Sequence, residues 1–396
     1  MGTALSKKPV VWHIGGEDIH MRIPLLLALR ERGFSVGAVG SEDGELFKET
    51  GIPYWRFNFC RFISPIQDIK SIRELRALFT RERPDIVHGF DTKPAIMVPL
   101  AGKVTGIPVR VCTITGLGYM FSSHSPLVMI LRPLYRYLQR RASAYPTFTI
   151  FQNPDDHIYF LRHNIVPKGR EAVVLGSGID TNSFLSYSPK PALLQSLKEE
   201  LGLKNSFVVC MAARIVKYKG VLEYLEAAKL VHLRNPLVTF LLVGPLSSEG
   251  NQAVSRGIID AYSDHVIYAG PRSDVRELLA LTNLFVLPSY YLEGVPRILL
   301  EAGAMGIPLI TTDMPGCREV VRDGWNGFII PPRDNLALAS AIEKVIRMNA
   351  SERRILGQRS QEHVQLNFSL SLVADAYATI YHQCLKEFGA HYQPGS

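Results

Sequence analysis

The sequence predicts an α/β protein made of two Rossmann-like domains, each a parallel sheet covered by helices. Three observations carry that prediction. Short apolar runs alternate with stretches of helical periodicity, the alternation restarts near residue 206, and a polar, Ser-rich stretch separates the two series. A length of 396 residues is also long for one hydrophobic core, so two domains follow from size alone.

The first series opens with VVWHIGG (10–16), an apolar run of strand length closed by two glycines. IPLLLALRERG (23–33) then repeats its leucines at helical spacing, and FSVGAVG (34–40) returns to strand character. IKSIRELRALFTRERP leads into DIVHGF, and PAIMVPLAGKVTG into IPVRVCTITG, the crossovers that parallel strands need. The second series begins with SFVVCMAARIV (206–216) as a strand, GVLEYLEAAKLVHLR (220–234) as a helix and VTFLLVGP (238–245) as a strand. It continues through HVIYAGP, VRELLALTN and LFVLPSYY to IPLITTD (307–313). Residues 181–205 read as the interdomain boundary, giving domains 1–185 and 186–367. The amphipathic LVADAYATIYHQCLKEF (372–388) lies in a C-terminal segment, 368–396, expected to pack back across the domains. Open α/β sheets bind ligands at their switch points, so a cleft where the two sheets face each other is the expected site.

Composition narrows the function classes. Cys60, Cys112, Cys210, Cys317 and Cys384 are odd in number and lack metal-ligand or C-x-x-C spacing, which argues for a reducing, cytoplasmic compartment. No apolar run reaches the roughly 18 residues of a spanning helix. VVWHI comes too early and is too brief for a secretory signal, while MGTALS matches the N-myristoylation pattern. Residues 1–185 hold 23 Lys+Arg against 16 Asp+Glu; the remainder holds 21 against 20, so the net charge of +8 sits almost wholly in the first half. A basic half suits an anionic substrate or lipid, and no helix-turn-helix, RNA-binding or zinc-finger signature favours nucleic acid.

The segment YYLEGVPRILLEAGAMG (290–306) places Glu293 and Glu301 on either side of a Gly-Val-Pro turn. Pro296 suits the first turn of a helix, where its missing N–H costs nothing, so Glu293 precedes the helix and Glu301 lies about one and a half turns inside it. The carboxylates therefore do not share a face or a proton. The helix start, where Gly294, Val295 and Pro296 lead into Arg297, offers N–H groups from the Gly294–Arg297 stretch and a positive dipole end to a phosphate. A ligand with hydroxyls on both sides of a phosphate could then reach both carboxylates as acceptors. The structural alternative is Glu293 as a cap and Glu301 on a solvated edge.

EGVPRILLE fits the E-x7-E element of retaining GT-B glycosyltransferases of the family-4 type. AARIVKYKG (212–220) resembles that family's Arg-x4-Lys-Gly signature, supplying Arg214 and Lys219. LVGPL, which contains Gly244, PGCREVVRDGWNGFIIPPRD (315–334) and GSGIDTNSF (176–184) are similar to further segments of it in the same order. The resemblance implies a GT-B fold and transfer of a sugar from a nucleotide-diphosphate donor with retention of configuration. It implies that Arg214 and Lys219 neutralise the leaving diphosphate, Glu293 orients the sugar and Glu301 binds the ribose. No cofactor and no metal are expected, since no Asp-x-Asp is present and the cations do that work. Gly15 and Gly16 would let the first domain's backbone approach a phosphate, with an ordinary turn as the alternative.

The first domain departs from the family pattern. Its usual histidine position falls in TITGLGYMF (113–121), where Thr115 stands. That form, with DTKPAIMVPLAGKVTGIPV upstream, resembles the subgroup acting on polyprenyl-diphosphate-linked sugars in bacterial glycan assembly. His88 and Asp91 are candidate substitutes for the histidine, with a structural histidine at the strand end as the alternative. Lys93 is a candidate contact for an acceptor diphosphate, with helix capping and a solvated lysine as the alternative. In SPLVMILRPLYRYLQRRASAY (125–145), the apolar block Leu127–Leu131 and the recurring Arg132, Arg136, Arg140 and Arg141 suit a helix lying in a lipid interface, with a buried helix of basic outer face as the alternative. The expected function is transfer of a sugar, with UDP and a hexosamine favoured, to a lipid-diphosphate-linked acceptor at the inner face of the cytoplasmic membrane. Rivals are a transferase with a soluble acceptor, a nucleotide-sugar epimerase or hydrolase, and a non-catalytic nucleotide-sugar binder. Free or isomerised sugar without an acceptor would mark the second, and binding without turnover the third.

Overall fold

A computed structural model describes residues 8–60, 64–123, 125–203, 206–246 and 250–388, the side chains of Tyr119 and Leu127 excepted. The MGTALS pattern and the Leu127 side chain lie outside that range. The chain divides into two units, Met1–Gly178 with Leu370–Ser396, and Ile179–Ser369.

In the first unit the apolar runs become β1 (Val10–Ile14), β2 (Ser35–Gly40), β3 (Tyr54–Arg56), β4 (Ile86–Phe90), β5 (Val109–Ile114), β6 (Phe148–Phe151) and β7 (Glu171–Val173). They pair in parallel in the order β3-β2-β1-β4-β5-β6-β7. Strand alternation sends Val11, Val36 and Ile86 to one face and Trp12, Val39 and Val87 to the other, and each face has its own core. Helix α1 (Ile23–Glu31) and the C-terminal helix Leu370–Phe388 fill the first core. Helices α2 (Pro65–Glu82) and α3 (Pro94–Val104) fill the second, and α3 packs between α2 and α4 (Pro126–Ala142).

The second unit contains β8 (Phe207–Ala212), β9 (Val238–Val243), β10 (Val266–Gly270), β11 (Leu284–Leu287), β12 (Leu309–Thr312) and β13 (Gly327–Ile330), in the order β10-β9-β8-β11-β12-β13. Helix α5 (Val221–Arg234) follows β8 and α6 (Arg297–Ala304) follows β11. Both sheets are thus doubly wound, and strand order reverses between β1 and β4 and between β8 and β11.

Two boundaries differ from the sequence reading. The polar 181–205 stretch is no linker: Thr181–Leu185 and Pro191–Glu200 are helical and belong to the second unit. Its polar groups have partners there, with Tyr187 donating to Glu277 at 2.6 Å and the Arg276 guanidinium 4.2 Å from the Phe184 ring centroid. Pro296 stands just before the first turn of α6, so the helix starts one residue later than expected.

Candidate functional site

In the second unit the candidate residues gather where strand order reverses, on the loops after β8 and β11. The β8 loop carries Arg214, then a 3-10 turn, Lys217–Lys219, closed by Gly220 at φ 81°. A Cβ on Gly220 would lie 2.1 Å from the carbonyl oxygen of Pro288, so only glycine lets this loop meet the end of β11. Lys219 Nζ then lies 2.6 and 2.8 Å from the two carboxylate oxygens of Glu293, and both side chains are largely buried. Ser289, fully buried, reaches Glu293 Oε1 at 2.9 Å. Tyr218 stacks on Tyr291 with ring centroids 4.4 Å apart, and the Arg214 guanidinium lies 5.8 Å from the Tyr218 centroid.

The turn after Glu293 is set by backbone packing. Gly294 and Pro296 are buried and Val295 is half-buried. Gly316 has φ 80°, and a Cβ there would fall 1.4 Å from the Gly294 carbonyl oxygen. Thr312 donates to the Ser289 carbonyl, tying β12 to the same loop. No side chain caps α6 among the described residues. Within α6, Arg297 Nε donates to Glu301 Oε1 at 2.8 Å across one turn. Gly244, at φ 142°, completes the group: a Cβ would lie 1.8 Å from the Ala213 carbonyl oxygen, so the β8 and β9 loops touch through backbone. Behind the cluster, burial pushes the Cys317 thiol up to about 12, which leaves it an inert packing group.

The structure therefore brings Lys219 and Glu293 together, with Arg214 and Glu301 on adjoining elements. Sequence reasoning assigned the lysine and the carboxylate to different parts of a ligand and did not foresee their contact. It also missed Ser289, Tyr218, Tyr291 and Gly316. A Pro-Gly pair just after a strand (Pro315–Gly316) was the available signal for the last of these. Chemically, the arrangement offers two cations to a polyanion and carboxylates that accept hydroxyl hydrogens.

In the first unit the candidates separate. Asp91, at φ 72°, accepts from Thr115 Oγ1 at 2.5 Å, joining the ends of β4 and β5. Lys93 Nζ turns to Asp68 Oδ1 at 2.6 Å and the Cys60 carbonyl at 2.9 Å, fastening the start of α3 to the first turn of α2. His88 requires a correction. It is fully buried, 2.5 Å from the Tyr381 hydroxyl through Nδ1 and 2.7 Å from Thr113 Oγ1 through Nε2, so it anchors the C-terminal helix and faces no acceptor. Gly15 and Gly16 are buried too, and a Cβ on Gly16 would lie 2.6 Å from the Phe59 ring, so packing within the unit accounts for Gly16.

The basic helix is corrected in part. Arg132 donates to the carbonyls of Met120 and Ser123, Arg136 to the Tyr159 hydroxyl, and Arg140 to the carbonyls of His163 and Asn164. These three arginines therefore brace neighbouring segments of the same unit, while Arg141 is exposed. Of the apolar block, Val128 is buried, and the exposed stripe runs through Met129, Ile130, Leu134 and Tyr137.

Known proteins match both halves. A family described as glycosyl transferases group 1 covers residues 195–363, and a glycosyl transferase 4-like domain covers residues 24–175. The capsular polysaccharide biosynthesis glycosyltransferase CapM of Staphylococcus aureus is 27% identical over 390 residues, 96% of this chain and 99% of that protein. The N,N'-diacetylbacillosaminyl-diphospho-undecaprenol alpha-1,3-N-acetylgalactosaminyltransferase of Campylobacter jejuni is 25% identical over 382 residues, 94% of this chain and 98% of that protein. In fold, the crystal structure of Anabaena HepE in complex with UDP matches with a TM-score of 0.76 at 17% identity, over 95% of this chain and all of that one. With the whole second sheet inside one matched domain and all but β1 of the first sheet inside the other, the protein belongs to the family-4 type of GT-B glycosyltransferase.

Proposed function

We propose that this glycosyltransferase moves a hexosamine from a UDP-sugar to a polyprenyl-diphosphate-linked sugar, with retention of configuration and without a metal. The observation that carries the reading is the Lys219–Glu293 contact at the switch point of the second sheet, beside Arg214 and the uncapped start of α6. Arg214, Lys219 and the backbone from Gly294 to Pro296 stabilise the negative charge that grows on the departing diphosphate. Glu293 passes from Lys219 to the donor sugar's hydroxyls, and Glu301, steadied by Arg297, accepts from the ribose. Gly244 lets the β8 and β9 loops meet through backbone beside the nucleotide. The departing phosphate takes the acceptor's proton. In the first unit the Asp91–Thr115 pair positions the acceptor hydroxyl. The relatives support the acceptor class, since one is named for a diphospho-undecaprenol sugar. The stripe Met129–Ile130–Leu134–Tyr137, with Arg141, rests on the inner face of the membrane where such an acceptor resides.

A panel of nucleotide sugars scored by thermal shift identifies the donor, because a bound ligand stabilises the native state by mass action. The winning donor is then incubated with a synthetic prenyl-diphosphate sugar, and the new linkage is read by NMR. A UDP-hexosamine should give the largest shift, the product should keep the donor's anomeric configuration, and EDTA should leave the rate unchanged. An inverted product, or transfer to water-soluble glycosides with no response to the prenyl chain, would overturn the corresponding part of the reading.

A further inference from the structure

Helix α2 presents a second basic and apolar surface that the reading above leaves unused. Arg73, Arg76 and Arg81 line a groove of about 480 Å³ with Ala77, Thr80, Val104 and Thr105, where α2 meets the end of α3. Ile66, Ile69, Arg73 and Arg76 follow the i, i+3, i+7, i+10 spacing of a single helical face. Ile66 is 74%, Ile69 53% and Val104 63% exposed. The acids of α2 are engaged: Asp68 by Lys93, Glu74 by Asn58 and Glu82 by Arg81. Among the described residues, no carboxylate lines the groove or pairs with Arg73 or Arg76.

We propose that this groove is a binding site for the phosphate headgroups of anionic lipid, a second foot that seats the first unit on a bilayer beside α4. The inference deepens the membrane reading of the preceding section and rests on it. Charge complementarity selects the ligand, since the Arg73 and Arg76 guanidinium groups, which no described carboxylate pairs, attract phosphate. The aliphatic side chains select the bilayer over nucleic acid. Ile66, Ile69 and Val104 gain by entering the boundary between headgroups and acyl chains, whereas a phosphate backbone would leave them exposed. Topology links the surfaces: α3 packs between α2 and α4, so both amphipathic helices flank it on one face of one sheet.

The test is co-sedimentation of the full chain with phosphatidylcholine vesicles, with and without phosphatidylglycerol. The wild type should bind the anionic vesicles, less so as salt rises. The double variant R73E/R76E should lower partitioning about 20-fold or more, at roughly fivefold for each arginine removed, with melting temperature and UDP affinity unchanged. R73K/R76K should keep most of the binding. Wild-type partitioning of R73E/R76E overturns the proposal, as does loss of oligonucleotide binding in that variant while vesicle binding persists. I130D/L134D, measured in parallel, separates the two surfaces. If only that variant loses binding, α4 is the sole contact and the groove has no role in membrane binding.

Discussion

Lys219 and Glu293 stand 74 residues apart in sequence, yet they form the tightest ion pair of the second unit's switch point. For the reaction proposed, Lys219→Ala should lower the turnover of UDP release by about 10²–10³-fold at saturating donor, the usual effect of removing one charge-stabilising donor. Full activity in that variant would remove the lysine from the mechanism. Gly316→Ala is a sharper probe of the turn itself. The new methyl collides with the Gly294 carbonyl at a φ that side chains avoid, so UDP affinity should fall and unfolding free energy should drop by at least about 1–3 kcal/mol in urea titrations. At this scale the four charged residues were legible because their spacing follows a family pattern. Ser289, Tyr218 and Gly316 were not, because their roles depend on which loop lies opposite. Sequence left His88 between an acceptor role and a structural one for the same reason: it marks a strand end but not the helix that covers it.

The C-terminal helix shows how an element is held by a few polar contacts inside an apolar core. Tyr381 reaches His13 Nε2 at 2.9 Å and His88 Nδ1 at 2.5 Å, and His88 continues to Thr113. His13 Nδ1 has no partner among the described residues. The arrangement that leaves no buried N–H unpaired therefore runs one way, from His13 to the Tyr381 oxygen, from Tyr381 to His88, and from His88 to Thr113. Tyr381→Phe strands both imidazoles and should destabilise the protein by about 1–3 kcal/mol, measured by urea unfolding. No loss would mean that water or a rotated ring replaces the hydroxyl. The helix itself was legible from its amphipathic period. Its polar anchors were not, and neither were the carbonyl partners of the α4 arginines, since a helical wheel shows which face is basic but not what that face meets.

For the whole molecule, acid sensitivity follows from buried titratable groups. Burial, aided by Arg22, holds the His13 and His88 imidazoles well below their ordinary range. Their native forms refuse protons that an unfolded chain accepts below about 6.5, so their stabilising contribution is complete above that pH and is lost as pH falls. Asp156 acts in the opposite sense. Burial raises its carboxyl to about 7, so its contribution is present under acid conditions and is lost as pH rises from 3.8 towards 7. Asp156→Asn should therefore raise the melting temperature by a few degrees at pH 8 and change nothing near pH 4, as read by calorimetry. An equal shift at both values would show that the carboxyl does not titrate with folding. The alternating strands and helices made both sheets legible, but the polar 181–205 stretch misplaced the seam, because a composition rich in serine and charge cannot reveal that its groups find partners nearby. The chain's route adds a last consequence. The helix that completes the first core follows the entire second unit, whose ends meet where Ile179 bridges to Ser369. During synthesis the leading sheet must wait, half-finished, while almost two hundred residues leave the ribosome. A stop codon just before Leu370 would accordingly spare the trailing half of the gene's product and ruin the half that was made first.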